Sequence, residues 1–182
     1  GGVRVELLRG DEVIDTAATT VDGTFVFTGV TQGFYTVRET DPQGFTSTTP
    51  NEAIVMVPAG GSANASFGDL PKGTISGTVF SDADSNTQRD FGEVGIGGAE
   101  IELIDADTGE VLDTMATTLD GSFLFTNVNP GDYRLRETDP EGFVSTTPNE
   151  VSVTVPAGGS GTAVFGDVVW VSFSSGQASL GD

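Results

Sequence analysis

The chain has 182 residues, 27 acidic against 7 basic side chains, a formal charge of −20, 26 Gly, and neither Cys nor His. This excludes a disulfide framework, zinc, haem or iron–sulfur sites of His/Cys type, and Ser–His or Cys–His catalysis. Nucleic acid and anionic membranes, whose recognition needs Lys and Arg, are excluded as partners, and a hard cation such as calcium is the ligand an acidic chain suits.

In chain order, the pattern is β throughout. Val3-Arg4-Val5-Glu6-Leu7 alternates with the period of a half-buried strand. Arg9-Gly10-Asp11, an integrin-type tripeptide, reads as a two-residue turn at a hairpin tip. Asp22-Gly23 is expected to close another hairpin, and Phe25-Val26-Phe27 to form a central strand covered on both faces. Tyr35 follows as a core residue. Leu70-Pro71-Lys72-Gly73 reads as a short linker. Thr74–Phe80 is a strand leading into an acidic loop, and Asp120-Gly121, Phe123-Leu124-Phe125, Tyr133 and Val151–Val155 repeat the earlier signals. No apolar run approaches the ~20 residues of a membrane-spanning helix, so no membrane insertion is expected.

The repetition is explicit. Residues 18–69 align without gaps onto 116–167, and 35 of those 52 positions are identical. The fold class is therefore all-β: two tandem antiparallel β-sandwich domains joined as a semi-rigid rod. The first, residues 1–70, lacks its N-terminal strand; the second, residues 71–167, is complete; residues 168–182 form a C-terminal strand or tail.

The sharpest chemical signal is the loop 82–93. Oxygen ligands fall at its positions 1, 3, 5, 9 and 12: Asp82, Asp84, Asn86, Asp90 and Glu93. Gln88, at position 7, offers its backbone carbonyl. This is the spacing of an EF-hand calcium loop, in which odd-numbered side chains converge and a terminal Glu closes the sphere. Thr87 stands at position 6, where that loop has Gly. The flanks are a strand and a Gly-rich stretch rather than helices.

The strand ending Val79-Phe80, the loop 82–93, the Thr118-Leu119-Asp120-Gly121 turn, and Glu137-Thr138-Asp139-Pro140 with Gly142-Phe143 together resemble the SdrD B-like repeat of bacterial surface proteins, within the wider Cna-B-like (Ig-like) group. The resemblance implies a calcium-stabilised β-sandwich, extracellular or on the cell surface, in arrays that lift an adhesive domain. It assigns Ca2+ to Asp82, Asp84, Asn86, Asp90 and Glu93, with Gln88 through its backbone. Many Cna-B-like domains carry a Lys–Asn crosslink catalysed by an acid, and Glu39 and Glu137 stand at that acid's position. The sole Lys is Lys72, and Asp69 and Asp167 replace the Asn, so no crosslink is expected. Glu39 and Glu137 are read as hydrogen-bonding the turns that follow them. Asp41, Asp105, Asp107 and Asp139 are further candidates for calcium.

The tail 168–182 resembles the start of a third unit, which suggests either a piece of a longer array or donor-strand exchange, the tail filling the first domain of the next molecule. The partners implied are neighbouring repeats or subunits of the same protein. Ile54 and Met56 stand where the second copy has Ser152 and Thr154, a small apolar patch on the first domain. The expected function is a non-enzymatic, calcium-stabilised rod of a surface protein or filament. The alternative is an adhesin module binding a carbohydrate or a host protein.

Overall fold

The computed structural model describes residues 1–170. The chain divides into two compact units, Gly1–Lys72 and Gly73–Asp182.

Unit 1 contains β1 (Arg4–Arg9), β2 (Glu12–Ala18), β3 (Gly33–Thr40), β4 (Phe45–Ser47), β5 (Glu52–Val57) and β6 (Asp69–Pro71). Four of these form an antiparallel sheet in the order β2-β1-β3-β5, and β4 pairs with β6. Gly10 and Asp11 make the β1–β2 turn, with Gly10 at φ +62°. Val5, Leu7, Tyr35, Val37 and Val57 are buried on one face of the sheet. Tyr35 satisfies its buried hydroxyl by donating to the Thr31 carbonyl oxygen at 2.9 Å. Leu70 and Pro71 belong to β6, so the expected linker starts as a strand.

Unit 2 contains β7 (Gly73–Ser81), β8 (Glu100–Asp105), β9 (Val111–Ala116), β10 (Ser122–Val128), β11 (Gly131–Thr138), β12 (Phe143–Ser145), β13 (Glu150–Val155) and β14 (Ser160–Val169). Its two sheets run β10-β7-β14-β12 and β13-β11-β8-β9. Between them lie Ile75, Val79, Ile101, Leu103, Phe123, Phe125, Leu135, Val155 and Phe165. Among the described residues all ladders are antiparallel except β7–β14, which is parallel and runs from Ser160 opposite Thr74 to Asp167 opposite Ser81.

Three expectations need correction. Phe123-Leu124-Phe125 is not covered on both faces: β10 is an edge strand, its two Phe side chains point inward, and Leu124 is 52% exposed. Asp120-Gly121 does not close a hairpin, because β9 and β10 belong to different sheets. Gly121 sits at φ +79°, where a Cβ would overlap the Val79 carbonyl oxygen, so this crossover needs glycine for its backbone and its closeness to β7. In unit 1, residues 24–30 and 62–68 form no ladder, although their repeat equivalents are β10 and most of β14.

Candidate metal centre

The end of β7 aims the acidic loop. Phe80 and Asp82 share one face of the chain, and Asp82 is fully buried. Its backbone N–H donates to the Asp167 carbonyl oxygen at 2.8 Å, prolonging the β7–β14 ladder into the loop. Its carboxylate accepts from Asn86 N (3.0 Å) and Thr87 N (2.9 Å). Glu93 reaches back across the loop and accepts from Ala83 N at 2.9 Å and Asp90 N at 2.8 Å, one bond to each oxygen. Asp82, Asp84 and Glu93 each present an oxygen within 4.8 Å of the other two. Asn86 donates through Nδ2 to Asp84 at 3.0 Å and to Asp90 at 2.6 Å, which ties those carboxylates to the cluster. Gln88 is exposed, and its backbone N–H donates to Asn86 Oδ1 at 2.7 Å. Asp90 lies outside the three-residue cluster. Thr87 adopts φ +68° and Ser85 φ +57°. The left-handed turn that glycine usually supplies is thus made by a β-branched residue, at a cost of about 1 kcal/mol or more.

A second acidic group lies inside unit 2. Glu137 ends the inward face of β11, behind Tyr133 and Leu135, and is 3% exposed. Asp167 faces it from β14 and is fully buried. Neither Glu137 oxygen nor either Asp167 oxygen has a hydrogen-bond partner. The expectation that Glu137 bonds the following turn is therefore wrong: Asp139 fills that role, accepting from Ser145 N at 3.0 Å, Ser145 Oγ at 2.7 Å and Asn149 Nδ2 at 2.7 Å. Burial and the neighbouring acids push the Glu137 carboxyl well above the usual range, and burial with the Asp139 charge pushes Asp167 up. Unit 1 repeats the pair. Burial, then Asp69, then Asp41 push Glu39 up to about 7. Asp105 and Asp107 do not join either group; Asp105 accepts from Asp107 N, Thr108 N and the Thr108 hydroxyl within its own turn.

The third feature is a groove of about 690 Å³ in unit 1. Val5, Leu7, Phe25, Phe27, Val57 and Phe67 line it, with Glu39 and Asp69 at its polar margin. In unit 2 the corresponding space holds β7.

A two-layer β repeat with an acidic loop after its first strand is the class these features define. Residues 73–162 belong to the SdrD B-like domain family. Unit 1, by its internal identity, is a second copy of the same repeat. The chain is 31% identical over 176 residues to serine-aspartate repeat-containing protein D of Staphylococcus aureus strain Newman, covering 88% of this chain and 12% of that protein. It is 29% identical over 163 residues to serine-aspartate repeat-containing protein F of Staphylococcus epidermidis ATCC 12228, covering 81% of this chain and 10% of the relative. It thus spans about a tenth of the length of these relatives. Solved structures with a similar trace include the Bacillus anthracis TIE protein (TM-score 0.48, 20% identity, covering 92% of this chain and 31% of that one). Another is GBS52, the minor pilin of Streptococcus agalactiae (TM-score 0.44, 12% identity, covering 95% and 85%).

Proposed function

We propose that the chain is a non-catalytic structural segment of an extracellular or cell-surface protein, stiffened by calcium in the loop 82–93. The observation that carries this reading is the convergence of Asp82, Asp84 and Glu93 within 4.8 Å on a loop anchored to the β7–β14 ladder. Carboxylates this close repel, and a divalent cation removes that cost while fixing the loop. Asn86 and Asp90 complete the oxygen set, and Gln88 supplies its carbonyl. The test is thermal melting in EDTA and in excess calcium, with Asp84→Ala as control. Calcium should raise the melting temperature of unit 2 in the parent chain and much less in the variant. Identical melting curves in EDTA and calcium would sink the reading.

We further propose that unit 1 accepts a strand from a neighbouring subunit. The open groove beside Phe25, Phe27 and Phe67 supports this, since an unfilled apolar cleft between unpaired backbone segments is a ready site for strand addition. Val168 and Val169 already pair with β12 of their own unit, so a donor would begin beyond Trp170. Residues 171–182 lie outside the described part. Deleting 171–182 should abolish head-to-tail polymers seen by electron microscopy, whereas equal polymerisation of the truncated chain refutes the exchange.

The adhesin reading is favoured by one surface. Phe34 (72% exposed), Ile54 (80%) and Met56 (54%) sit side by side on β3 and β5, Phe34 opposite Met56. Unit 2 has Asp132, Ser152 and Thr154 there. If this face binds a host protein, replacing the three residues by their unit 2 counterparts removes binding to host cells without lowering the melting temperature.

A further inference from the structure

Unit 2 buries more negative charge than its own side chains compensate. Glu137 and Asp167, each more than nine-tenths buried, point at one another from opposite sheets. Asp139 contributes a third oxygen, and one atom from each of the three lies within 4.8 Å of the others. No described cation touches them. Arg134 and Arg136 alternate to the other face of β11 and pair with Glu150 and Glu102 at 2.8 and 2.6 Å. Asp139 spends both oxygens accepting hydrogen bonds, an arrangement that suits its ionised form. A single proton shared by Glu137 and Asp167 would still leave one negative charge in the interior, beside the ionised Asp139 at its margin. The cost of burying an uncompensated ion is several kcal/mol.

From the four unpartnered, buried carboxylate oxygens of Glu137 and Asp167 beside Asp139, we infer a second site for a divalent hard cation, inside the sandwich of unit 2. The dimensions suit calcium: ligands ~2.3–2.6 Å from a central ion lie at most about 5 Å apart, and a cluster of mixed one- and two-oxygen carboxylates matches its tolerant geometry better than magnesium's octahedron. This site is separate from the loop. Asp167 pairs in register with Ser81 across the parallel ladder, so it shares that residue's face of the sheet. Asp82, the residue that follows β7, lies on the opposite face with Phe80. The two ions would clamp one end of the β7–β14 pair from both sides, one at the loop and one in the core. Because the inner ligands come from β11 and β14, the inner ion would tie the two sheets together, which the loop ion does not do.

The test is calcium titration of the full chain by calorimetry after exhaustive chelation, alongside terbium luminescence. Asp84→Ala with Asp90→Ala disables the loop. That loop-deficient chain should still bind calcium in unit 2 and still be stabilised by it. Adding Glu137→Gln, which keeps the shape and removes the charge, should weaken the remaining binding at least tenfold, and Asp139→Asn, at the half-exposed margin, should weaken it measurably. Circular dichroism in EDTA shows that each variant is folded. A loop-deficient chain that binds no calcium overturns the inner site, as does binding unchanged by both Glu137→Gln and Asp139→Asn. A loop-deficient chain that binds as much calcium as the parent would instead count against the loop assignment and leave the inner site standing.

Discussion

Unit 1 and unit 2 share 35 of 52 aligned residues yet differ in half their architecture. In unit 2, Phe123, Phe125 and Phe165 are no more than 3% exposed. Their counterparts Phe25, Phe27 and Phe67 are only half-buried around the groove, though they still pack on one another, Phe25 against Phe27 at 5.9 Å and against Phe67 at 6.4 Å. The difference is β7. It lies between β10 and β14 and gives both their hydrogen-bond ladders. Without such a strand among the described residues of unit 1, segments 24–30 and 62–68 have no partner and form no sheet. Strand formation here is a property of the neighbour more than of the segment's own sequence.

The largest expected effect comes from removing β7 from the comparison. A Cβ on Gly77 would overlap the Ala163 carbonyl oxygen and the Phe123 ring. Gly77→Val should therefore destabilise unit 2 by about 3 kcal/mol or more, since overpacking a filled interior forces backbone movement. Calorimetry should show the upper melting transition falling toward that of unit 1; an unmoved transition would mean that β7 does not set the difference. Next in size is a matched pair. Phe165→Ala should cost ~3–5 kcal/mol and Phe67→Ala only ~1, because a half-buried ring at an open groove loses less transfer energy and leaves a site that collapses or hydrates. Equal losses in urea unfolding would show that unit 1 is as well packed as unit 2.

The same contrast explains what could be read from the sequence. The all-β character was legible because alternation such as Val151–Val155 is local. The loop 82–93 was legible because its acids are neighbours in the chain. Glu137 and Asp167 are 30 residues apart and meet only because β11 and β14 face each other across the core. Their mutual lack of partners is a tertiary fact, and the Glu-Thr-Asp-Pro context pointed instead to a turn, which Asp139 makes. Phe25-Val26-Phe27 misleads for a related reason: three apolar residues in a row fit a buried strand, yet Val26 is 74% exposed and Leu124, its equivalent, lies on the outer side of an edge strand. Nor could identical motifs reveal that one copy's segments pair and the other's do not.

Acidity tests the polar margin of the groove. Glu39 is pushed up to about 7 by burial, then by Asp69 and Asp41. The folded unit thus holds a proton that the unfolded chain releases near pH 4.5. Stability from this group is complete below that value and is lost as pH rises toward 7. Lys72 acts on Asp41, whose carboxyl is lowered chiefly by Ser47, so the Asp41 contribution lies at more acid pH. Water entering the groove screens the pair, so the expected loss is ~1–2 kcal/mol. Glu39→Gln should flatten the slope of unit 1 stability between pH 4.5 and 7 in urea titrations. A slope that survives the substitution would assign the pH dependence to other acids.

The smallest expected effect concerns the loop that only unit 2 possesses among the described residues. Thr87 holds φ +68° without the conformational freedom of glycine. Thr87→Gly relieves about 1 kcal/mol of backbone strain in the folded loop but adds freedom to the unfolded chain, so net stability in EDTA should rise by a few tenths of a kcal/mol at most. Calcium affinity is the better readout. Asp82 accepts from the backbone N–H groups of both Asn86 and Thr87, so the turn at 87 sets where that carboxylate points. If strain at Thr87 opposes this arrangement, glycine should tighten calcium binding severalfold while leaving the melting of unit 1 untouched. Weaker binding would mean that the stiff threonine preorganises the loop and that its strain is offset by the order it imposes.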